Sequence, residues 1–221
     1  MTDYGLGRVH IPDNRDLGFP MQAVVPDVPT RTFRYWWASA WWGNQGDSSR
    51  CVAFAWEHWV ADGPVTRVWR KPSDDDLWAA YRWMQNNDEW PGAEPDYEGT
   101  SIRAGAKYHQ AQGRVSEYRW GWDLQTVVTA VLDVGPVVVG TNWYRRMFEP
   151  DDDGVLRIDG GVAGGHGYVV NGANTRTGFL RIKNSWGRDW GRNGHAYIAF
   201  EDFERLLDED GDACLAIEVN T

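Results

Sequence analysis

The spacing of apolar residues changes period once along this chain, and the change divides it. Val52, Trp56, Trp59 and Val60 recur at helical spacing after Cys51, and Gly63-Pro64 supplies a stop, so a helix is expected from Cys51 to Asp62. Ser73 followed three residues later by Asp76 predicts a second helix running through Leu77, Tyr81 and Met84. A third is expected over 101–112 before Gly113, and a fourth from about Asp123, carrying Leu124, Val127, Val128, Val131 and Leu132 up to Gly135-Pro136. Beyond Pro136, short apolar runs between turn residues replace the helices, and strands are expected at 137–140, 155–158, 167–170, 179–182, 196–200 and 214–219. Residues 1–35, broken by Pro12, Pro20, Pro26 and Pro29, read as an extended arm lying on a folded body. A helical half followed by a strand-rich half implies an α+β chain of two lobes with a cleft between them. The expected division is a helical lobe at about 36–133 and a β lobe at about 134–221 within one domain.

Composition narrows the partners. A chain of 221 residues with 42% hydrophobic positions can bury a sizeable core. Its net charge of -10 repels phosphate backbones and anionic lipid surfaces, so neither nucleic acid nor a membrane is expected as a partner. Fifteen tryptophans suit a core and a substrate groove alike. The first thirty residues contain no apolar stretch resembling a secretory signal, Met1 reads as a translated start, and no separate pro-segment is visible. Two cysteines, Cys51 and Cys214, exclude a disulfide framework, and both are expected free. A cytoplasmic or otherwise intracellular setting, or a virion-associated one, is the expectation.

Cys51 stands where a helix should begin, and the first turn of a helix offers amide donors and a positive dipole end that stabilise a thiolate. Taken alone, such a cysteine is more often a buried small hydrophobe. Its setting, Asn44-Gln45-Gly46-Asp47-Ser48-Ser49-Arg50-Cys51, resembles the active-site segment of papain-like cysteine peptidases, in which a glutamine lies six residues before the nucleophile. Gly164-Gly165-His166-Gly167-Tyr168 resembles the histidine strand of that family, and Lys183-Asn184-Ser185-Trp186-Gly187 its Asn-Ser-Trp-Gly stretch. The order Gln, Cys, His, Asn also agrees. The polar run Ile11-Pro12-Asp13-Asn14-Arg15-Asp16 is similar to the N-terminal arm of bacterial-type members. Ser48 replaces a disulfide cysteine of secreted members, Val52 replaces the usual Trp, and Arg50 replaces a small residue, leaving open whether Arg50 assists a thiolate or faces solvent.

The resemblance implies a papain-like fold with a β-barrel-like second lobe, no cofactor and no metal, and a peptide or protein substrate. It assigns Cys51 as nucleophile in a thiolate–imidazolium pair with His166, Asn184 as the residue orienting that histidine, Gln45 as oxyanion donor with the Cys51 amide, and Trp186 as the shield over the His–Asn bond. It places Gly140 and Gly167 at the pocket for the residue preceding the cleaved one, with Gly165 beside them and Tyr97, Glu98, Gly99 and Thr100 on the opposite wall. Two bare walls imply room for Phe, Tyr or Leu, with a mild preference for basic peptides added by the overall charge. The alternatives are a non-catalytic or structural module on the same fold, and an acyl transferase or peptide cyclase. Asp151-Asp152-Asp153-Gly154 hints at a calcium loop, but its twelfth position is Val162 rather than a bidentate Glu, and a solvated turn is the better reading. His58 shares a helix with Cys51 about two turns on, roughly 10 Å away, too far to act as its base.

Overall fold

The computed structural model describes residues 4–37, 41–63, 69–89 and 98–219. The four expected helices form: α1 Cys51–Asp62, α2 Asp74–Asn87, α3 Ile102–Ala111 and α4 Leu124–Asp133. Three of them start on side-chain caps that the sequence announces. Ser73 and Asp76 close a reciprocal capping box on α2, Ser101 accepts from the Ala104 amide, and Asp123 accepts from the Thr126 amide. The first helix has no side-chain cap at Arg50, so its first-turn amides stay available to whatever lies in front of Cys51. Every residue of α1 is buried, because it is wedged between the other helices and the sheet. A further helix, α5 Phe200–Asp208, was not expected; it buries Phe203, Leu206 and Leu207 at i, i+3 and i+4, each contributing about 1.5–3 kcal/mol.

Seven strands are described: β1 Phe33–Tyr35, β2 Val115–Gly121, β3 Val137–Tyr144, β4 Val162–Asn174, β5 Phe179–Lys183, β6 His195–Ala199 and β7 Asp212–Glu218. They form one antiparallel sheet in the order β2-β7-β3-β4-β5-β6, with β1 also paired to β4. The strand period of two splits its residues between two cores. Val138, Val169 and Cys214 pack with α1, α2 and α3, while Val137, Val139 and Val170 pack with α4 and α5. Thus α4 lies across the sheet from α1–α3. Of the expected strands, 155–158 is reduced to a single bridge between Val155 and Tyr197, and β2 lies inside the stretch read as helical. A buried ion pair, Lys183 Nζ to Asp62 Oδ2 at 2.7 Å, ties the end of α1 to β5.

The N-terminal arm is less extended than its prolines suggest. It carries short 3-10 turns at Asn14–Gly18 and Met21–Ala23, buries Met21, and then joins the sheet as β1. Asp13 and Asp16 clamp Arg103 on α3. Asp151, at the suspected calcium loop, caps its own turn through the Val155 amide and pairs with Arg157.

Candidate active site

Two elements meet at the sulfur. The start of α1 presents Cys51, fully buried, and β4 passes in front of it so that the Gly167 amide donates to Cys51 Sγ at 3.3 Å. The fit is close, since a Cβ on Gly167 would lie 3.2–3.4 Å from Val52. The residue before it, His166, has its Nε2 2.7 Å from Asn184 Oδ1. That oxygen also accepts the Ser185 amide, which fixes the Asn184 side chain and makes His166 Nε2 the protonated nitrogen. Nδ1 is therefore the basic nitrogen, buried and without a hydrogen-bond partner among the described residues. Trp186 stacks on the imidazole at 4.7 Å, and Trp143 meets it edge-on at the same distance. The Asn-Ser-Trp-Gly stretch thus brings both its amide and its indole to His166.

The enclosure decides the charges. Burial pushes the Cys51 thiol up to about 11, against the smaller opposing pull of the Gly167, Val52 and Gly7 amides. Burial likewise takes His166 down to about 4, although its bond to Asn184 opposes the shift. In this conformation burial therefore opposes both members of the thiolate–imidazolium pair expected from sequence. Arg50 does not compensate: it pairs with Asp74 at 2.7 Å and lies over the Trp78 ring. His58 accepts the Gly43 amide in the core, apart from this site.

What closes the site is the segment from Tyr4 to Val9. Tyr4 stacks on Trp186 at 4.5 Å; the Gly7 and Arg8 amides donate to Gly165 O, and the Val9 amide donates to Thr100 O while Thr100 N donates to Gly7 O. The segment fits because it is thin. A Cβ on Gly5 would sit 2.1 Å from Ser48 O, one on Gly7 equally close to Ser49 O, and one on Gly165 equally close to Arg8 O. Gly99 adopts φ 102°, and a Cβ there would strike Gly7 O. Gln45 Nε2 donates to Gly5 O at 3.1 Å and to Ser48 O, and its own oxygen accepts the Ser185 hydroxyl.

The expected wall residues are thus gathered along one segment. Thr100 and Gly99 lie on one side of it, Gly165 and Gly140 on the other, and Trp186 beneath Tyr4, with Glu98 at the rim accepting from Ser49. Tyr97 lies outside the described residues. Gly167 faces α1 and not the pocket. Sequence reasoning passed over Arg8 and Asp212, which meet beside Gly140: Arg8 Nε and Nη2 lie 3.0 and 2.6 Å from Asp212 Oδ2. The only sequence signal for them is an Arg and an Asp 204 positions apart, which nothing in the chain's periodicity connects.

The sequence profile of the papain family cysteine proteases matches residues 74–207, a stretch that includes His166 and Asn184 and starts beyond Cys51. The chain belongs to the papain family of cysteine proteases. Human cathepsin L2 is 34% identical over 91 residues, an alignment taking in 34% of this chain and 25% of the human protein. This papain-family chain therefore matches about a quarter of the length of that curated relative. Its fold is similar to that of xylellain, a cysteine protease from Xylella fastidiosa, with a TM-score of 0.72, 17% identity and coverage of 99% and 98% of the two chains. It is also similar to bromelain from Ananas comosus bound to the inhibitor E64, at a TM-score of 0.61, 13% identity and coverage of 85% and 99%.

Proposed function

We propose that this papain-family chain is a thiol-dependent endopeptidase in which Cys51 is the nucleophile, His166 the general base, Asn184 the orienting residue and Gln45 an oxyanion donor. One observation carries the reading: β4 supplies in consecutive residues the imidazole fixed by Asn184 and the amide that touches the Cys51 sulfur. The thiol proton passes to His166 Nδ1 as sulfur attacks the peptide carbonyl carbon, and the oxygen gains charge against the Cys51 amide and Gln45 Nε2. Imidazolium then returns its proton to the departing amine. Water, deprotonated by His166, hydrolyses the thioester and releases the thiol. Internal cleavage is favoured because the segment from Tyr4 to Val9 runs through the cleft and continues past it, so a chain can enter at one end and leave at the other.

The test is labelling by a thiol-directed epoxide, read by mass, together with hydrolysis of an unstructured protein by the full chain and by Arg8→Ala, which loosens the arm. Label on Cys51 and internal cuts that vanish in Cys51→Ala support the reading. Undiminished cutting by Cys51→Ala ends it.

A further inference from the structure

The pocket beside Gly140 is not the open apolar space expected from two bare walls. Arg8 fills it with its side chain 2% exposed, and Asp212 closes it with its own 16% exposed. The floor is Gly140, opposite Asp212 in the β3–β7 register, where a Cβ would lie 2.7 Å from Ile102 and 2.8 Å from both Cγ and Nε of Arg8. Two nitrogens of the guanidinium reach Asp212 Oδ2, and Nη2 also donates to Asp210 O. The other titratable or charged groups near Asp212 are His10, 3.6 Å from Oδ1, Asp16, and Arg103, which is engaged with Asp13 and Asp16.

We propose that Asp212 is a specificity-determining residue, making this pocket select an arginine or lysine side chain, with Arg8 of the arm standing in for it. The proposal rests on the peptidase reading above and names the substrate class of that same site.

Arg8 and His10 both belong to the arm, so a substrate that displaces it removes both partners from Asp212. A Leu or Phe in their place would leave an enclosed carboxylate unpaired, whereas a guanidinium or ammonium restores the ion pair and its charge-assisted hydrogen bonds. Backbone direction does not weaken the comparison. In the arm the pocket residue follows the carbonyl held by Gln45, Gly5; in a substrate it precedes the held carbonyl. The arm therefore crosses the cleft backwards, yet the side chain meets the same floor and the same carboxylate.

The experiment uses the full chain carrying Arg8→Ala. Two blocked peptides differing only in Arg or Leu before the cleaved residue are compared by calorimetric binding to Arg8→Ala/Cys51→Ala and by kcat/KM on Arg8→Ala. The Arg peptide is expected to be favoured about 10- to 100-fold, and Asp212→Asn in the same backgrounds to abolish that margin, while Asp212→Glu keeps it. Equal or better binding of the Leu peptide with Asp212 intact overturns the proposal, as does an Arg margin that survives Asp212→Asn. Should the Asp212 variants not fold, the Arg-against-Leu comparison in Arg8→Ala alone still decides. Because binding is read without turnover, an Arg margin in binding with no cleavage of either peptide rejects the peptidase reading and leaves the pocket standing; efficient cleavage with Leu preferred rejects the pocket alone.

Discussion

At one end of the cleft Cys51 and His166 are enclosed by β4, Trp143 and Trp186; at the other, Arg8 and Asp212 are enclosed by Gly140, Ile102 and the arm. Burial opposes charge at both ends, and a directly bonded counter-ion faces it at only one of them. Asp212 is pushed upward by burial but held back by the Arg8 guanidinium, which bonds to it directly. Cys51 has amide dipoles and the more distant charge of Arg8, none of which offsets its burial, and His166 has only the neutral Asn184. Burial is the largest influence on all three groups, and what differs is the group that opposes it: a guanidinium bonded directly to Asp212, backbone amides and a more distant charge at Cys51, and a neutral amide at His166. With the arm in place, burial of Cys51 outweighs both the Gly7 amide and the Arg8 charge that the arm brings towards it.

The largest test of the contrast is to remove a member of the proposed catalytic pair. Cys51→Ala or His166→Ala should each lower kcat by about 10⁶, since two groups acting as a unit lose nearly everything with either one. Measured on a peptide cleaved by Arg8→Ala, a loss of only tenfold would place the chemistry elsewhere. Gln45→Ala in the same background should cost about 10²–10³ in kcat, and an unchanged rate would move the oxyanion donor.

Acidification comes next. His166 titrates at about 4 in the fold against 6.5 when unfolded, so the unfolded chain binds the proton first. Stability is therefore complete above 6.5 and declines as the pH falls towards 4, by up to about 3 kcal/mol from this group. His195, brought down to about 3, acts in the same direction. Denaturant titrations at pH 7 and pH 4.5 measure it, and equal midpoints would contradict the neutral buried histidines. The smallest effect is on thiol reactivity. Gly7→Val expels the arm from the backbone of Ser49, admits water, and should lower the midpoint for Cys51 alkylation by at least about one pH unit, or about 1.4 kcal/mol. A midpoint unchanged from the parent would mean that the arm does not keep the thiol neutral.

Local chemistry made much of this fold readable. The caps Ser73, Ser101 and Asp123 act within three residues of themselves, and the helices they start begin within a residue of where expected. The motif residues Cys51, His166 and Asn184 also come together, because the resemblance carried long-range pairing that periodicity lacks. What stayed hidden depends on register between distant segments. In β2 the run Ser116-Glu117-Tyr118-Arg119 is too polar to announce a strand, and it becomes one only because β7 pairs with it. Val155 and Leu156 look like a strand but find only a bridge to Tyr197. Gly5 and Gly7 read as irregular coil until Ser48 and Ser49 are set against them. Asp212 acquires meaning only from the β3–β7 register that puts it opposite Gly140.

The arm that fills the cleft is the same stretch of chain that reaches the sheet at Phe33–Tyr35, where it pairs with Gly172, Ala173 and Asn174 at the far end of the strand bearing His166. Residues 4–10 are consequently leashed to the groove they occupy. Their departure and return are unimolecular, and the leash holds them at an effective concentration on the order of millimolar. Dilution leaves the balance between the filled and vacant groove untouched. An incoming peptide contends with that local concentration and not with the bulk one, so its apparent affinity is reduced by the fraction of time the leash leaves the groove vacant.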